Sequence, residues 1–84
     1  MKLIFAEQAW EDYLYWQAQD KKTLKRINTL LKEIMRTPFE GTGKPEALKH
    51  ALAGYWSRRI DKEQRLVYKA LPEEIWIVQL RYHY

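Results

Sequence analysis

The 84-residue chain contains no cysteine, which excludes disulfides and thiolate chemistry. Its two histidines, His50 and His83, are too few and too far apart in sequence for a convincing metal site, so we expect neither a metal ion nor a cofactor. No long hydrophobic run is present. The apolar residues 3–6 are followed by Glu7, and such a short run fits neither a signal peptide nor a membrane span. We therefore expect a cytoplasmic protein without membrane contacts.

The composition is typical of a small folded protein. Hydrophobic residues make up 46%, aromatic residues 14% and charged residues 31%, with a mean hydropathy of -0.64. A chain this short surrounds one core, so residues 1–84 are expected to form a single domain. Because small cores supply little stability, we expect a homodimer or a tight protein complex. The net charge of +4 favours a polyanionic partner such as RNA, DNA or an acidic protein.

Periodicity predicts the order β-α-α-β-β-β. Asp20 is the predicted N-cap of the second helix, and one face of the first helix is expected to carry Trp10, Tyr13, Leu14 and Gln17. The Gly- and Pro-containing run at 37–45 predicts a loop that leads into Glu46. The predicted strands are 2–5, 55–60, 65–71 and 75–82, and the predicted helices are 7–19 and 21–36.

This order predicts an α+β fold in which a helical hairpin packs on one face of a small, mainly antiparallel sheet. The other sheet face is expected to stay open to a partner. Strand alternation places Gln79, Arg81 and His83 on one side of the last strand, and neighbouring strands should add basic residues to the same face. A histidine one residue from the end of the sequence suggests a proton-transferring group.

One carboxylate, one imidazole and several guanidinium groups would suit RNA transesterification, in which a base activates the ribose 2′-hydroxyl and an acid protonates the leaving 5′-oxygen. Each residue also has a simpler interpretation. Glu46 fits a solvated loop charge, Arg65 a surface ion pair and His83 a surface side chain. Composition and spacing alone therefore support a basic α+β binding domain and leave its chemistry open.

Several stretches of the chain resemble the YoeB toxins, a branch of the RelE/ParE toxin superfamily. The resemblance extends over essentially the whole sequence and is most specific in the Gly-Lys-Pro-Glu segment at 43–46 and the terminal Arg-Tyr-His-Tyr at 81–84. The other matching stretches are DYLYW at 12–16, RTPFEG at 36–41, LK at 48–49, GYWSRRI at 54–60 and RLVY at 65–68.

The resemblance implies a toxin of a bacterial toxin-antitoxin pair that cleaves mRNA in the A site of the 30S ribosomal subunit. It also implies a homodimer and inhibition by an acidic YefM-type antitoxin. The resemblance implies that Glu46 is the general base and His83 the general acid. It implies that Arg65 stabilises the phosphorane and that Tyr84 orients the scissile nucleotide. Lys49 and Arg59 would bind the flanking phosphates. The alternative is a non-catalytic toxin of the ParE type that acts by binding a protein such as DNA gyrase.

Overall fold

A computed structural model describes residues 1–82 of the chain. Two helices pack on one face of a five-stranded sheet, which confirms the predicted α+β fold. The strands are β1 (Lys2–Phe5), β2 (Glu46–Ala47), β3 (Trp56–Arg59), β4 (Arg65–Leu71) and β5 (Glu74–Gln79); the helices are α1 (Glu7–Gln19) and α2 (Lys21–Arg36); a 3₁₀ turn spans His50–Leu52.

Helix α2 begins where the sequence predicts. The carboxylate of Asp20 accepts hydrogen bonds from the amides of Lys22 and Thr23 at 3.1 and 3.2 Å and from the Thr23 hydroxyl at 2.8 Å. These bonds, those from Thr23 above all, lower the pKa of Asp20. The helix then buries a stripe of apolar side chains at three- and four-residue steps against the sheet. Its buried residues are Ile27, Leu30, Leu31 and Ile34.

The face of α1 that carries Trp10, Tyr13, Leu14 and Gln17 is not the face that the helix buries. The residues that α1 buries are Ala9, Asp12 and Trp16, whereas Trp10 is 49% exposed and Leu14 is 41% exposed. Asp12 is buried although its side chain is polar. Its carboxylate lies inside the fold because it accepts a backbone hydrogen bond from a residue near the end of the chain, which no local pattern reveals.

The strand order across the sheet is β1-β5-β4-β3-β2. Strand β1 joins the sheet as predicted and runs parallel to β5, while the other neighbours are antiparallel. The helix-facing side of the sheet completes the core with Leu66, Tyr68, Ile75 and Ile77. Within residues 1–82, no helix is long and apolar enough to cross a membrane.

Strand β5 is shorter than predicted. Regular pairing ends at Gln79 after a register shift opposite Val67 and Tyr68, and the chain leaves the sheet there. Two side chains of α1 hold the next residue, Leu80: its amide donates to Asp12 at 3.0 Å, and its carbonyl accepts from the Trp16 indole at 2.8 Å. These bonds end the strand by fixing the chain against α1.

The expected alternation of side chains therefore fails beyond Gln79. The guanidinium of Arg81 lies 3.4 Å from the ring centroid of Tyr15 on α1 and 4.6 Å from that of Tyr82. This cation-π contact directs Arg81 toward the helix, so its predicted place on the open sheet face is wrong.

Candidate active site

The sheet face opposite the helices carries two of the basic side chains that the sequence predicts there, Arg59 and Arg65. Arg59 on β3 pairs directly with Arg65 on β4, and Ser57, two residues earlier, pairs with Glu46 on β2. Alternate residues of a strand share a face, so these four side chains lie on one side of the sheet. With strands about 4.8 Å apart and a rise of about 3.3 Å per residue, the Cα atoms of Glu46 and Arg65 are about 12 Å apart.

Glu46 lies in a strand and not in the predicted loop. It forms β2 with Ala47 at the edge of the sheet, and the amide of Leu48 extends the pairing by donating to the carbonyl of Tyr55 at 2.9 Å. The side chain is exposed at this edge. Two paired residues were missed because so short a strand has no detectable periodicity. The direction of the Glu46 carboxylate is therefore set by the backbone pairing of the sheet.

One end of the Arg65 guanidinium is held by the turn before β4. Its Nη1 donates to the carbonyls of Asp61, Lys62 and Gln64 at 3.0, 3.3 and 3.2 Å. The turn itself is shaped by the Asp61 carboxylate, which accepts from the amides of Glu63 and Gln64 at 2.8 and 2.7 Å. The acidic turn that suggested a surface ion pair thus contacts Arg65 through its carbonyl groups, which hold one end of the cation against the turn.

Arg59 and Lys49 are both exposed, as phosphate-binding cations must be. The backbone of Arg59 is fixed on both sides: its amide donates to the carbonyl of Gly43 at 2.7 Å, and its carbonyl accepts from Arg26 at 3.0 Å. Lys49 precedes the 3₁₀ turn and lines a shallow groove beside Glu46 together with the exposed His50. These two cations therefore flank the carboxylate on different elements.

The predicted acid His83 and the predicted nucleotide-orienting Tyr84 lie outside the described residues. The residue before them, Tyr82, is held by hydrogen bonds to neighbouring strands and the turn before β4. The carbonyl of Tyr82 accepts from the amide of Arg65 at 3.1 Å and from the side chain of Gln79 at 3.2 Å, and the Tyr82 amide donates to Gln64. The chain immediately before His83 is thus held against the start of β4.

Sequence reasoning did not single out Arg58, which shares the motif of Arg59 but faces the helices. It is completely buried and hydrogen-bonded to the 37–45 loop, to α2 and to Tyr68. Strand alternation contains the only local signal for it, since one of two adjacent arginines in a strand must face inward. Within residues 1–82, no group of three or more His, Asp or Glu side chains is placed to hold a metal ion.

Comparison with known proteins identifies the family to which the chain is similar. Residues 5–84 match the family model of the YoeB-like toxin of bacterial type II toxin-antitoxin systems. The chain is 58% identical to Toxin YoeB of Escherichia coli (strain K12) and 55% identical to Toxin YoeB of Streptomyces coelicolor, in both cases over 100% of both chains.

Solved structures give the same result. The YoeB/ParE toxin from Agrobacterium tumefaciens superposes with a TM-score of 0.96 at 45% identity, over 100% of both chains. The YoeB dimer from Staphylococcus aureus superposes with a TM-score of 0.93 at 52% identity, over 100% of this chain and 98% of that one. Together with the full-length match, this shows that the chain belongs to the YoeB-like toxins of bacterial type II toxin-antitoxin systems.

Proposed function

We propose that this toxin is a ribosome-dependent endoribonuclease that cleaves mRNA in the ribosomal A site and so stops translation. The observation that carries the proposal is the strand register, which brings Glu46, Arg59 and Arg65 to one sheet face, with the carbonyl of Tyr82 hydrogen-bonded to the Arg65 amide. The proposed base and two cations for a phosphate thus share one surface, and the chain that leads to the proposed acid is fixed to the backbone of one of these cations.

The reaction needs one proton acceptor and one proton donor. Glu46 takes the proton of a ribose 2′-hydroxyl, and the resulting oxygen attacks the adjacent phosphorus. Arg65 stabilises the negative charge of the phosphorane, and His83 protonates the departing 5′-oxygen, which leaves a 2′,3′-cyclic phosphate and a free 5′-hydroxyl. In this proposal Tyr84 orients the scissile nucleotide, and Lys49 and Arg59 bind the flanking phosphates. Acid and base groups contribute about 10²–10⁴-fold in such reactions.

The exposure of the site supports dependence on the ribosome. Among residues 1–82, Glu46, Lys49 and Arg59 are all exposed, and the groove beside Glu46 is open to solvent. Alignment can be worth about 7–11 kcal/mol of the barrier, so a large part of it must come from elsewhere. We propose that the decoding site of the 30S subunit holds the mRNA in place.

Two protein partners belong to the proposal, a YefM-type antitoxin and a second copy of the chain. A heterotetrameric YoeB-YefM complex and a YoeB dimer are known from Staphylococcus aureus, and both toxin chains superpose closely on this one. The exposed Trp10 of α1 offers apolar surface for such contacts, and its ring is supported edge-on by the half-buried Phe5 of β1.

The test is a cleavage assay on ribosomes programmed with a defined mRNA, mapped by primer extension. We expect cleavage within the A-site codon by the wild-type protein and none by Glu46→Gln, with naked RNA left intact at the same protein concentration. Rapid cleavage of naked RNA would contradict the role of the ribosome. Absence of cleavage together with inhibition of DNA gyrase would instead support the non-catalytic, ParE-type alternative.

A further inference from the structure

Arg58 uses all of its hydrogen-bond donors inside the protein. A guanidinium has five N–H groups. In Arg58, Nε donates to the hydroxyl of Tyr68 at 3.2 Å, Nη1 to Glu33 at 3.3 Å and to the Thr42 carbonyl at 3.1 Å, and Nη2 to the carbonyls of Thr37 and Glu40 at 2.7 and 2.8 Å. The side chain is 0% exposed, so each of these bonds replaces a bond to water.

Three of the five acceptors are carbonyls of the segment that joins α2 to β2, here called the 37–45 loop. The two side-chain acceptors hold the same loop themselves. Glu33 accepts from the amide of Thr42, and the Tyr68 hydroxyl donates to the carbonyl of Pro38. We call Arg58, Glu33 and Tyr68 the loop clamp. It connects α2, β3 and β4 to a loop that has little core of its own, since most of its residues are exposed.

The loop clamp continues directly into β2. Gly43 receives the amide of Arg59 on its carbonyl at 2.7 Å, and a Cβ at this position would lie 3.2 Å from the Cβ of Arg58. Three residues later Glu46 pairs with Ser57. Strand β3 therefore contacts the loop at Gly43 and also aligns the carboxylate of Glu46 through Ser57.

We propose that the loop clamp is a positioning device for Glu46, with Arg58 as its central residue. This inference rests on the proposed role of Glu46 as general base. A strand of two residues has few bonds to define its position, so the direction of Glu46 depends on the anchors at its ends. Leu48 provides the downstream anchor and the loop clamp provides the upstream one.

Lysine cannot replace Arg58 in this device. An ammonium group offers three donors around one atom, whereas the five acceptors of Arg58 surround a planar fork. Arg58→Lys therefore leaves carbonyls of the loop unpaired. Two milder changes keep the shape of the side chain: Tyr68→Phe removes the hydroxyl between Arg58 and Pro38, and Glu33→Gln weakens the clamp by removing the negative charge that faces Arg58.

The experiment measures kcat and KM for ribosome-bound mRNA, together with amide hydrogen exchange, in the wild type, in these three variants and in Tyr13→Phe. Tyr13→Phe is the matched control, because it also removes a hydroxyl hydrogen bond, the 2.8 Å bond to Asn28 between the helices. For Tyr68→Phe and Glu33→Gln we expect kcat to fall about 10- to 100-fold with KM within about twofold, as small misplacements of a catalytic group do. Exchange of the Thr42 and Arg59 amides should accelerate in parallel.

Three results would overturn the inference. The first is faster exchange at Thr42 and Arg59 with unchanged kcat, which would mean that Glu46 does not depend on the loop. The second is a fall in kcat without faster exchange. The third is an equal fall in Tyr13→Phe, which would indicate a general loss of stability. If the wild type itself does not cleave, the proposed function fails separately, and the exchange rates, which require no RNA, decide whether the clamp holds the loop.

Discussion

The amide of Arg65 donates a hydrogen bond to the carbonyl of Tyr82 at 3.1 Å. The residue proposed to stabilise the phosphorane therefore also holds, through its backbone, the chain immediately before the proposed acid. One position on β4 contributes to the site twice, by its side chain and by its main chain. A side-chain substitution at Arg65 removes the first contribution and leaves the second in place.

Replacement of Glu46 by Gln or of Arg65 by Ala should lower ribosome-dependent cleavage at least about 100-fold, because each removes a proposed chemical role. Neither side chain is buried, so the thermal unfolding midpoint should stay close to that of the wild type. Glu73→Gln, an exposed carboxylate between β4 and β5, is the control and should cleave normally. Wild-type activity in a folded Glu46→Gln variant would remove this residue from the mechanism.

Replacement of Asp12 by Ala should destabilise the fold by about 1–3 kcal/mol, because it leaves the buried amide of Leu80 without a partner. The stability of Asp12→Asn should lie between that of the wild type and that of Asp12→Ala. The carboxylate accepts from Gln8 through Oδ1 at 2.8 Å and from Leu80 through Oδ2, and an amide has a single oxygen to accept both. Urea unfolding of the three proteins gives the order. Equal stability of wild type and Asp12→Ala would show that the bond to Leu80 contributes nothing.

Local patterns in the sequence were sufficient for much of the fold. The Asp20 cap, the apolar stripe of α2 and the antiparallel strands β3 to β5 depend on residues near one another in the chain, so periodicity and turn chemistry reveal them. That β1 joins the sheet was predicted from the need to satisfy its backbone groups, whereas its parallel direction was not predicted.

What the sequence missed depends on partners far away along the chain. The end of β5 and the inward direction of Asp12 both depend on one hydrogen bond, which joins residues 68 positions apart. The face of Arg58 depends on carbonyls up to 21 positions before it. Of the site, the register places Glu46, Arg59 and Arg65 on one sheet face, although the sequence placed Glu46 in a loop; their chemical roles came from family resemblance and stay predictions.

Glycine at position 43 should be harder to replace than glycine at position 54. Both have positive φ, +88° and +96°, so alanine at either site costs about 1–2 kcal/mol of backbone strain. An added Cβ at Gly43 would also lie 3.2 Å from the backbone oxygen of Arg59, while at Gly54 its nearest neighbour is 4.0 Å away. Gly43→Ala should therefore lose at least about 1 kcal/mol more in urea unfolding. An equal loss of stability at both sites would mean that the loop can move away from Arg59 without any further loss of free energy.

The acid sensitivity of the protein should depend on Glu33. The amide of Thr42 above all, then the Thr42 side chain and the Arg58 guanidinium, hold the pKa of Glu33 below its ordinary value of 4.5. Between the lowered pKa and 4.5 the unfolded chain binds more protons than the folded one. The stability that Glu33 contributes is thus fully present above pH 4.5 and is lost as the pH falls through the lowered value.

Urea midpoints measured from pH 7 to pH 3 should fall more steeply below pH 4.5 in the wild type than in Glu33→Gln. The comparison between the two proteins isolates Glu33, because Asp20, whose pKa is also lowered, is present in both. Parallel curves would show that the charge of Glu33 is not linked to folding.

The two hydrogen bonds between Leu80 and the side chains of Asp12 and Trp16 also determine when the protein can finish folding during its synthesis. Leu80 is translated 68 residues after Asp12 and 64 residues after Trp16. A nascent chain that already contains both helices and four of the strands still lacks the residue that occupies these two side chains. Until then the inner face of α1 has no fixed partner for its carboxylate and indole, and the Arg65 amide has no Tyr82 carbonyl to bind. A toxin built in this way cannot complete this surface during its synthesis before Leu80 and Tyr82 have been translated.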